Sequence, residues 1–332
     1  MVARIRWSCL LVCVVAASLG ASARGGAPSP SLAFGGRIFA VDGGPLDRIR
    51  VVATDGRGTY EAIVDTSGVF VGAFPRTPEG RVTLRIFSDS AARYHPSVVT
   101  LGPGVPDRPV RIVLIPTYWR ITGGPFDGRQ VRIDPLQAVS RVGGVAGYWR
   151  VTRRGGRSGR PVSWVADSFP VRVAFRREPH DPAISARDSA EFWTLAEELE
   201  RNLGRTLFRP SSPREIERGA DGIFVAIDHG MSAAGRTFIT YDESGRIFEA
   251  LVSVSRREFL GDTRVAMHEL LHAIGFGHAG AWASVMGPST RGISRPTADD
   301  VAYAQLYYAI SALQRERDVP YGILEAGRDF RF

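Results

Sequence analysis

Three histidines and one glutamate share a stretch of eleven residues in this 332-residue chain. His268 and His272 are four residues apart, which places both side chains on one face of an α-helix, one turn apart. Both imidazoles can therefore reach a single metal ion. Glu269 lies beside them, where its carboxylate can contact a water bound to that ion without becoming a ligand itself. The spacing predicts a metal centre that activates water.

The chain after this helix supplies a third ligand. Gly275 can take the left-handed conformation that ends a helix, and the reversed chain then returns His278 to the same ion. Three neutral imidazoles leave a fourth position open for water, which is typical of a catalytic rather than a structural zinc. We predict one catalytic Zn²⁺ held by His268, His272 and His278. Additional structural Ca²⁺ or Zn²⁺ ions cannot be read from the sequence.

This stretch resembles a known zinc signature. The order His-Glu-x-x-His-x-x-Gly-x-x-His is that of the metzincin metalloendopeptidases, which also carry a methionine turn beneath the metal. Here Ser284-Val-Met286-Gly-Pro288 follows the third histidine at a spacing similar to that of the matrixin branch, the matrix-metalloprotease-like enzymes. The resemblance covers roughly residues 166 to 315. It implies a zinc endopeptidase in which Met286 is the structural base of the site and not a ligand.

This chain differs in three features from the enzymes that carry this signature. Ala279 follows the third histidine, where matrixins usually have a polar residue. Gly287-Pro288 follows the methionine, where astacin-type enzymes have a tyrosine, so an astacin-like assignment is disfavoured. The only cysteines are Cys9 and Cys13, so latency through a propeptide cysteine on the zinc cannot operate in the mature chain.

The resemblance also implies a mechanism. Zinc lowers the pKa of its bound water and polarises the scissile carbonyl, while Glu269 accepts the proton of that water and delivers it to the leaving amine. An extended peptide is expected to pair with the edge strand at residues 236–241. The specificity pocket is expected to involve residues 287–295, and the substrate itself is not readable.

Hydrophobic periodicity predicts the elements that must position this site. The predicted strands are 169–175, 222–227 and a pair at 236–241 and 247–254. The predicted helices are 185–203, 263–274 and 297–315. Ser185 and Gly204 supply a cap and a stop for the first helix, and Asp299 and Asp300 lie in the first turn of the last helix, where its dipole favours them.

The N-terminal part of the mature chain has a different pattern. Residues 34–116 contain short alternating runs separated by turn residues, which predicts an antiparallel β-sandwich of about seven strands. The segments 36–46, 65–70 and 94–96 resemble the transthyretin-like or carboxypeptidase-regulatory-like domain, which implies an accessory module. The predicted fold class is multidomain. An all-β sandwich precedes an α+β metzincin-type zinc protease domain, with a twisted mixed sheet, an active-site helix and a C-terminal helix.

The start of the chain resembles a secretory signal. Arg4 and Arg6 precede an apolar run, and Ala21-Ser22-Ala23 supplies small residues for cleavage. We divide the chain into a signal peptide at 1–23, a flexible lead-in at 24–33, the sandwich at 34–116, a connector at 117–165 and the protease domain at 166–332. This predicts a secreted, extracellular or periplasmic protein with no membrane span and no cysteine in its mature form.

The remaining charged and histidine residues do not change this interpretation. The formal net charge is +8, but no nucleic-acid-binding motif is present, and the arginines at residues 153–160 are interpreted as a solvated loop. His95 is interpreted as a surface or packing residue, His180 as a turn residue and His229 as a loop residue. Two other functions stay open, namely a binding or adhesion protein with a vestigial zinc domain and a zinc hydrolase of a non-peptide amide. The oligomeric state is not predicted.

Overall fold

A computed structural model describes residues 32–75, 78, 80–88, 93–103, 109–135, 161–177, 183–280, 283–287 and 293–317. The predicted signal peptide, most of the lead-in, His180 and the arginines at 153–160 lie outside these residues. Within the described ranges, no helix is long and apolar enough to cross a membrane.

Seven strands at the beginning of the described chain form one hydrogen-bonded sheet in the order β6-β5-β2-β3-β4-β1-β7. Every neighbouring pair is antiparallel except β1 with β7, which is parallel. About seven strands were expected here; their packing as a two-layer sandwich stays a prediction. The strands are β1 (Leu32–Ala40), β2 (Ile49–Thr54), β3 (Thr59–Val64), β4 (Val69–Phe74), β5 (Arg81–Ser88), β6 (Ser97–Pro103) and β7 (Val110–Leu114).

The last strand of this sheet contributes to two hydrophobic cores. Successive side chains of a strand point to opposite faces, and Ile112 and Leu114 therefore pack with Phe34 and Phe74 in the core of the first sheet. Val113 points the other way, into the core that surrounds the zinc signature. Strand β7 therefore contributes side chains to both hydrophobic cores and connects the first sheet to the core around the zinc signature.

A second, five-stranded sheet has the order β11-β10-β12-β14-β13. Its parallel strand β12 is buried along its whole length, as expected where both faces of a sheet are covered. Among the described strands of this sheet, β13 and β14 form the one antiparallel pair, and β13 lies at the edge. The predicted strand pair and the strand at 222–227 are confirmed within one residue, whereas β11 was not predicted. The strands are β10 (Val171–Phe175), β11 (Phe208–Pro210), β12 (Gly222–Ile227), β13 (Gly235–Tyr241) and β14 (Ile247–Val254).

Four α-helices accompany this sheet: α1 (Ala186–Leu203), α2 (Pro213–Glu217), α3 (Ala266–Ala273) and α4 (Ala298–Arg317). The first and last long helices agree with the sequence prediction to within two residues. The zinc-signature helix α3 starts three residues later than predicted. The Asp262 side chain accepts a hydrogen bond from the backbone N–H of Arg264, which folds the preceding residues into a turn.

The described part of the predicted connector packs against the core that surrounds the zinc signature. Its two short strands, β8 (Tyr118–Arg120) and β9 (Gln130–Arg132), pair with each other. The side-chain amide of Gln305, on α4, donates to the Thr122 carbonyl at 2.7 Å and accepts from the Trp119 indole at 3.2 Å. These contacts fix the hairpin to the last helix.

Asp188 ties the start of α1 to the segment that leads into α3. Its buried carboxylate accepts from the Ser185 hydroxyl at 2.6 Å and from the Arg257 guanidinium at 2.9 Å. Burial by itself raises the pKa of Asp188. The Ser185 hydrogen bonds and the Arg257 charge together outweigh it, and the pKa lies below its ordinary value of 3.8.

Replacing this carboxylate is expected to weaken the fold in a pH-dependent way. Asp188→Asn should lower the free energy of unfolding at pH 7 by about 1–2 kcal/mol, since it removes charge-assisted hydrogen bonds. A carboxylate with a pKa lowered by folding stabilises only while it is charged, so the deficit should vanish as the pH falls through that pKa. Urea unfolding of metal-free protein at pH 7 and pH 3 measures this deficit in the free energy of unfolding. The substitution of an exposed carboxylate, Asp167→Asn, is the control. An equal deficit at both pH values would contradict this account.

Candidate metal centre

Helix α3 presents two imidazoles on the same side. The ring centroids of His268 and His272 are 4.6 Å apart, and the rings are nearly perpendicular. The helix places them one turn apart, as the four-residue spacing predicts. His272 is buried at 7% exposure, so the pair lies against the protein interior.

The chain reverses immediately after α3 and needs a glycine to do so. Gly275 has a φ of 106°, and a Cβ at this position would lie 2.3 Å from the Val162 carbonyl oxygen. The last carbonyls of the helix are satisfied by side chains, because the Trp164 indole donates to Ala273 at 2.9 Å and the Tyr308 hydroxyl donates to Ile274 at 2.5 Å. The turn that returns the chain to the histidines is therefore fixed on both sides.

Three histidines converge at the end of this turn. The Nε2 atom of His278 lies 3.2 Å from the Nε2 atoms of both His268 and His272. Among the described residues these three form the one group of histidine, cysteine or carboxylate side chains placed to hold a metal ion, with ligand atoms within 4.8 Å of one another. The structure thus brings together the three residues predicted as ligands.

The Nδ1 atoms of His268 and His272 lie on the outer side of the cluster, and their partners show that the Nε2 atoms face inward. Nδ1 of His268 lies 2.7 Å from the Val285 carbonyl oxygen, and Nδ1 of His272 lies 2.7 Å from that of Phe276. A carbonyl only accepts, so each Nδ1 carries the proton and each neutral ring points an Nε2 lone pair inward. The Nε2 of His278 can hold at most one proton, so at least one 3.2 Å contact joins two lone pairs. A shared cation removes this repulsion, and the donor set fits a metal ion.

The predicted methionine turn lies against this cluster. The backbone N–H of Gly287 donates to Ser284, which closes the turn, and Met286 is fully buried. The turn contacts His268 directly and His278 through the residue that follows it. The Val285 carbonyl holds the His268 ring, and the Met286 carbonyl accepts from the N–H of Ala279, the residue after His278.

Helix α4 holds the turn from below through a buried carboxylate. Asp300, at 1% exposure, accepts hydrogen bonds from the Ser284 hydroxyl and from the backbone N–H of Thr297. The Ser284 hydroxyl in turn accepts from the N–H of Met286 at 2.9 Å. From the sequence, Asp300 was expected only to interact with the helix dipole, and its hydrogen bond with Ser284 was not predicted. The spacing Thr297-x-x-Asp300 could have indicated a capping box, although not the partner across the turn.

Glu269 is buried beside the histidines and contacts strand β13. The Thr237 hydroxyl lies 2.6 Å from its Oε2 atom, and the backbone of Gly235 approaches the same side chain. From the sequence, this strand was expected to pair with a peptide, and neither Thr237 nor Gly235 was predicted to contact Glu269. No local pattern links them to a glutamate on a helix 32 positions further along.

The other histidines lie apart from the cluster. His95 donates a 2.7 Å hydrogen bond from its Nε2 to the Ile133 carbonyl, and burial lowers its pKa. His229 is exposed and contacts the Ser255 carbonyl at 2.9 Å. Residues 288–292 of the expected specificity pocket lie outside the described ranges, so that expectation stays a prediction.

Comparisons with known proteins add little to this picture. No family model and no curated protein matches the sequence. Among solved structures, metalloproteinase-II from Bacteroides fragilis is similar at 9% sequence identity and a TM-score of 0.31, over 76% of this chain and 89% of that chain. A TM-score this low carries no argument about fold or activity. The function of this chain is therefore inferred from the geometry of its three histidines.

Removing the support of the turn is expected to weaken metal binding. Ser284→Ala deprives Asp300 of a donor and Met286 of an acceptor, and the Val285 carbonyl that orients His268 loses its anchor. Loss of such an outer contact typically costs about 10-fold in metal affinity. Competition between the metal-free protein and a chromogenic chelator for Zn²⁺ measures the change.

A second buried serine provides the control. Ser311 is 2% exposed and shares a 2.6 Å hydrogen bond with Ser163, away from the histidines. Ser311→Ala should lower stability without a change in Zn²⁺ affinity. Equal affinities for wild type and Ser284→Ala would show that the turn does not orient the ligand.

Proposed function

We propose that this protein is a zinc-dependent endopeptidase, with Zn²⁺ held by His268, His272 and His278. The observation that carries the proposal is the convergence of three Nε2 atoms, two of them on rings with an Nδ1 proton committed to a carbonyl. Neutral imidazoles in a set of three suit zinc and leave a position for water. The assignment of the metal as zinc belongs to the proposal.

Glu269 supplies the base in this proposal. Zinc at such a site supplies a Lewis acid that polarises a carbonyl and lowers the pKa of water in its open position. Glu269 follows the first ligand directly, and its carboxylate is buried at the same end of the helix. It accepts a proton as the water attacks the scissile carbonyl and delivers that proton to the leaving amine.

The edge strand β13 supports a peptide as the substrate. Among the described residues β13 pairs only with β14, so its other edge offers backbone donors and acceptors to an extended chain. Thr237 of this strand contacts Glu269, and a peptide on this edge would pass close to the base. The antiparallel edge strand, the zinc helix and the turn at Met286 together support a matrixin-like protease.

Two further parts of the proposal concern the N-terminal regions. We propose that the first 23 residues direct export and are then removed, and that the seven-stranded sheet is a carboxypeptidase-regulatory-like accessory module. N-terminal sequencing of protein recovered from a secreting host tests the first part. A mature chain that still starts at Met1 would contradict it.

The activity is tested with the base removed. Glu269→Ala should retain about one equivalent of zinc, because Glu269 is not a ligand, and should lose at least about 100-fold in the rate of casein cleavage, the usual contribution of a general base. Fluorescence release from labelled casein and elemental analysis of the same samples measure both quantities. Exposed Glu217→Ala on α2 is the control and should match the wild type in both.

Other results would point to the rival functions. A folded, zinc-loaded wild type that leaves casein intact would contradict the endopeptidase proposal and favour a binding protein. Release of product from small non-peptide amides, without cleavage of casein, would identify a different hydrolase. Equal cleavage by wild type and Glu269→Ala would remove the glutamate from the mechanism.

A further inference from the structure

We infer that Thr237 is a positioning residue, with a hydroxyl that fixes the Glu269 carboxylate against strand β13. The inference rests on the proposed function, because it concerns the residue proposed as base. Thr237 does not act on the substrate in this account. It acts through the glutamate and determines where the carboxylate lies.

The hydrogen bond at the centre of this inference is short and charge-assisted. The Thr237 hydroxyl lies 2.6 Å from Glu269 Oε2 and 3.0 Å from the backbone carbonyl oxygen of the same residue. Its proton therefore goes to the carboxylate, the nearer and more negative acceptor. Because the hydroxyl lies close to both the backbone carbonyl and the carboxylate of Glu269, it restricts the side-chain torsions of that residue.

Gly235 and Thr237 together form a socket for the Glu269 side chain. Gly235 lies two residues before Thr237, on the same face of the strand. A Cβ at Gly235 would lie 2.7 Å from Cγ and 2.8 Å from Oε1 of Glu269, closer than carbon atoms tolerate. The glycine therefore leaves the space that the glutamate fills, while the threonine supplies the bond that keeps it there.

The strand that carries this socket is itself firmly held. Thr237 and Gly235 are paired with Val252 and Val254 of β14, and both valines are fully buried. The socket is thus attached to the sheet and not to a loop. The edge proposed for peptide pairing and the socket for the base belong to one strand, so the position of the carboxylate is set relative to a bound peptide.

The test compares the loss of the hydroxyl with its retention. Thr237→Val keeps the shape and removes the donor, whereas Thr237→Ser keeps the donor. With quenched-fluorescent peptide, Thr237→Val should show kcat reduced roughly 10- to 100-fold, as expected for a misplaced group, with KM and Zn²⁺ affinity within about twofold of wild type. Thr237→Ser should recover most of kcat. The control is Thr194→Val, which removes an exposed helix hydroxyl bonded to Ala190.

A readout without metal or substrate tests the contact itself. In metal-free protein, Thr237→Val should lower the melting temperature by about 4 °C, since it removes a hydrogen bond to a charged group. In the Glu269→Ala background the same substitution should lower it by only about 2 °C, because the charged acceptor is gone and only the backbone carbonyl of residue 269 remains for the hydroxyl. Gly235→Ala is a second, independent variant, and it should retain zinc while kcat falls.

The outcomes separate this inference from the proposed function. An active wild type with unchanged kcat in Thr237→Val would overturn the inference and leave the endopeptidase intact. Equal melting shifts in both backgrounds, or a Thr237→Ser variant as impaired as Thr237→Val, would also overturn it. A zinc-loaded wild type without peptidase activity would overturn both. If Thr237→Val fails to fold, full activity of Gly235→Ala contradicts the socket.

Discussion

The rest of this structure depends on one constraint, the convergence of three imidazoles in which the Nε2 atom of His278 lies 3.2 Å from the Nε2 atoms of both His268 and His272. Neutral rings with inward lone pairs repel at this distance unless a cation lies between them. The surrounding protein therefore has to hold the rings in place before any metal arrives. The Val285 and Phe276 carbonyls do so by accepting the outer protons of His268 and His272.

This constraint extends outward through successive layers of hydrogen bonds. The turn that contains Val285 is held by Ser284, and Ser284 by Asp300 at the start of α4. The far end of α3 is closed by the Trp164 indole and the Tyr308 hydroxyl. Trp164, Ser284 and Asp300 are buried and Tyr308 is half-buried, so a lost partner leaves a polar atom with little water to replace it. Small changes in the outer layers should therefore reach the histidines.

The sheet places the proposed base in the same framework. β13 contributes Thr237 and Gly235 to the Glu269 side chain, while its other edge is the one proposed for the substrate. The proposed chemistry and the proposed peptide binding thus depend on one strand. The N-terminal sheet is connected to this framework through β7, which sends side chains into both cores.

The sequence by itself determined the convergence of the three histidines, the turn after them and most helices and strands, because these follow from local spacing. Histidines four apart share a helix face whatever surrounds them, and periodicity marks buried strands such as β12. Tertiary structure alone decided the partners of these elements. Thr237 reaches Glu269, and Ser284 reaches Asp300, across 32 and 16 positions with no repeating pattern. The short strand β11 and the packing of the hairpin on Gln305 likewise depend on surfaces that exist only after the chain has folded.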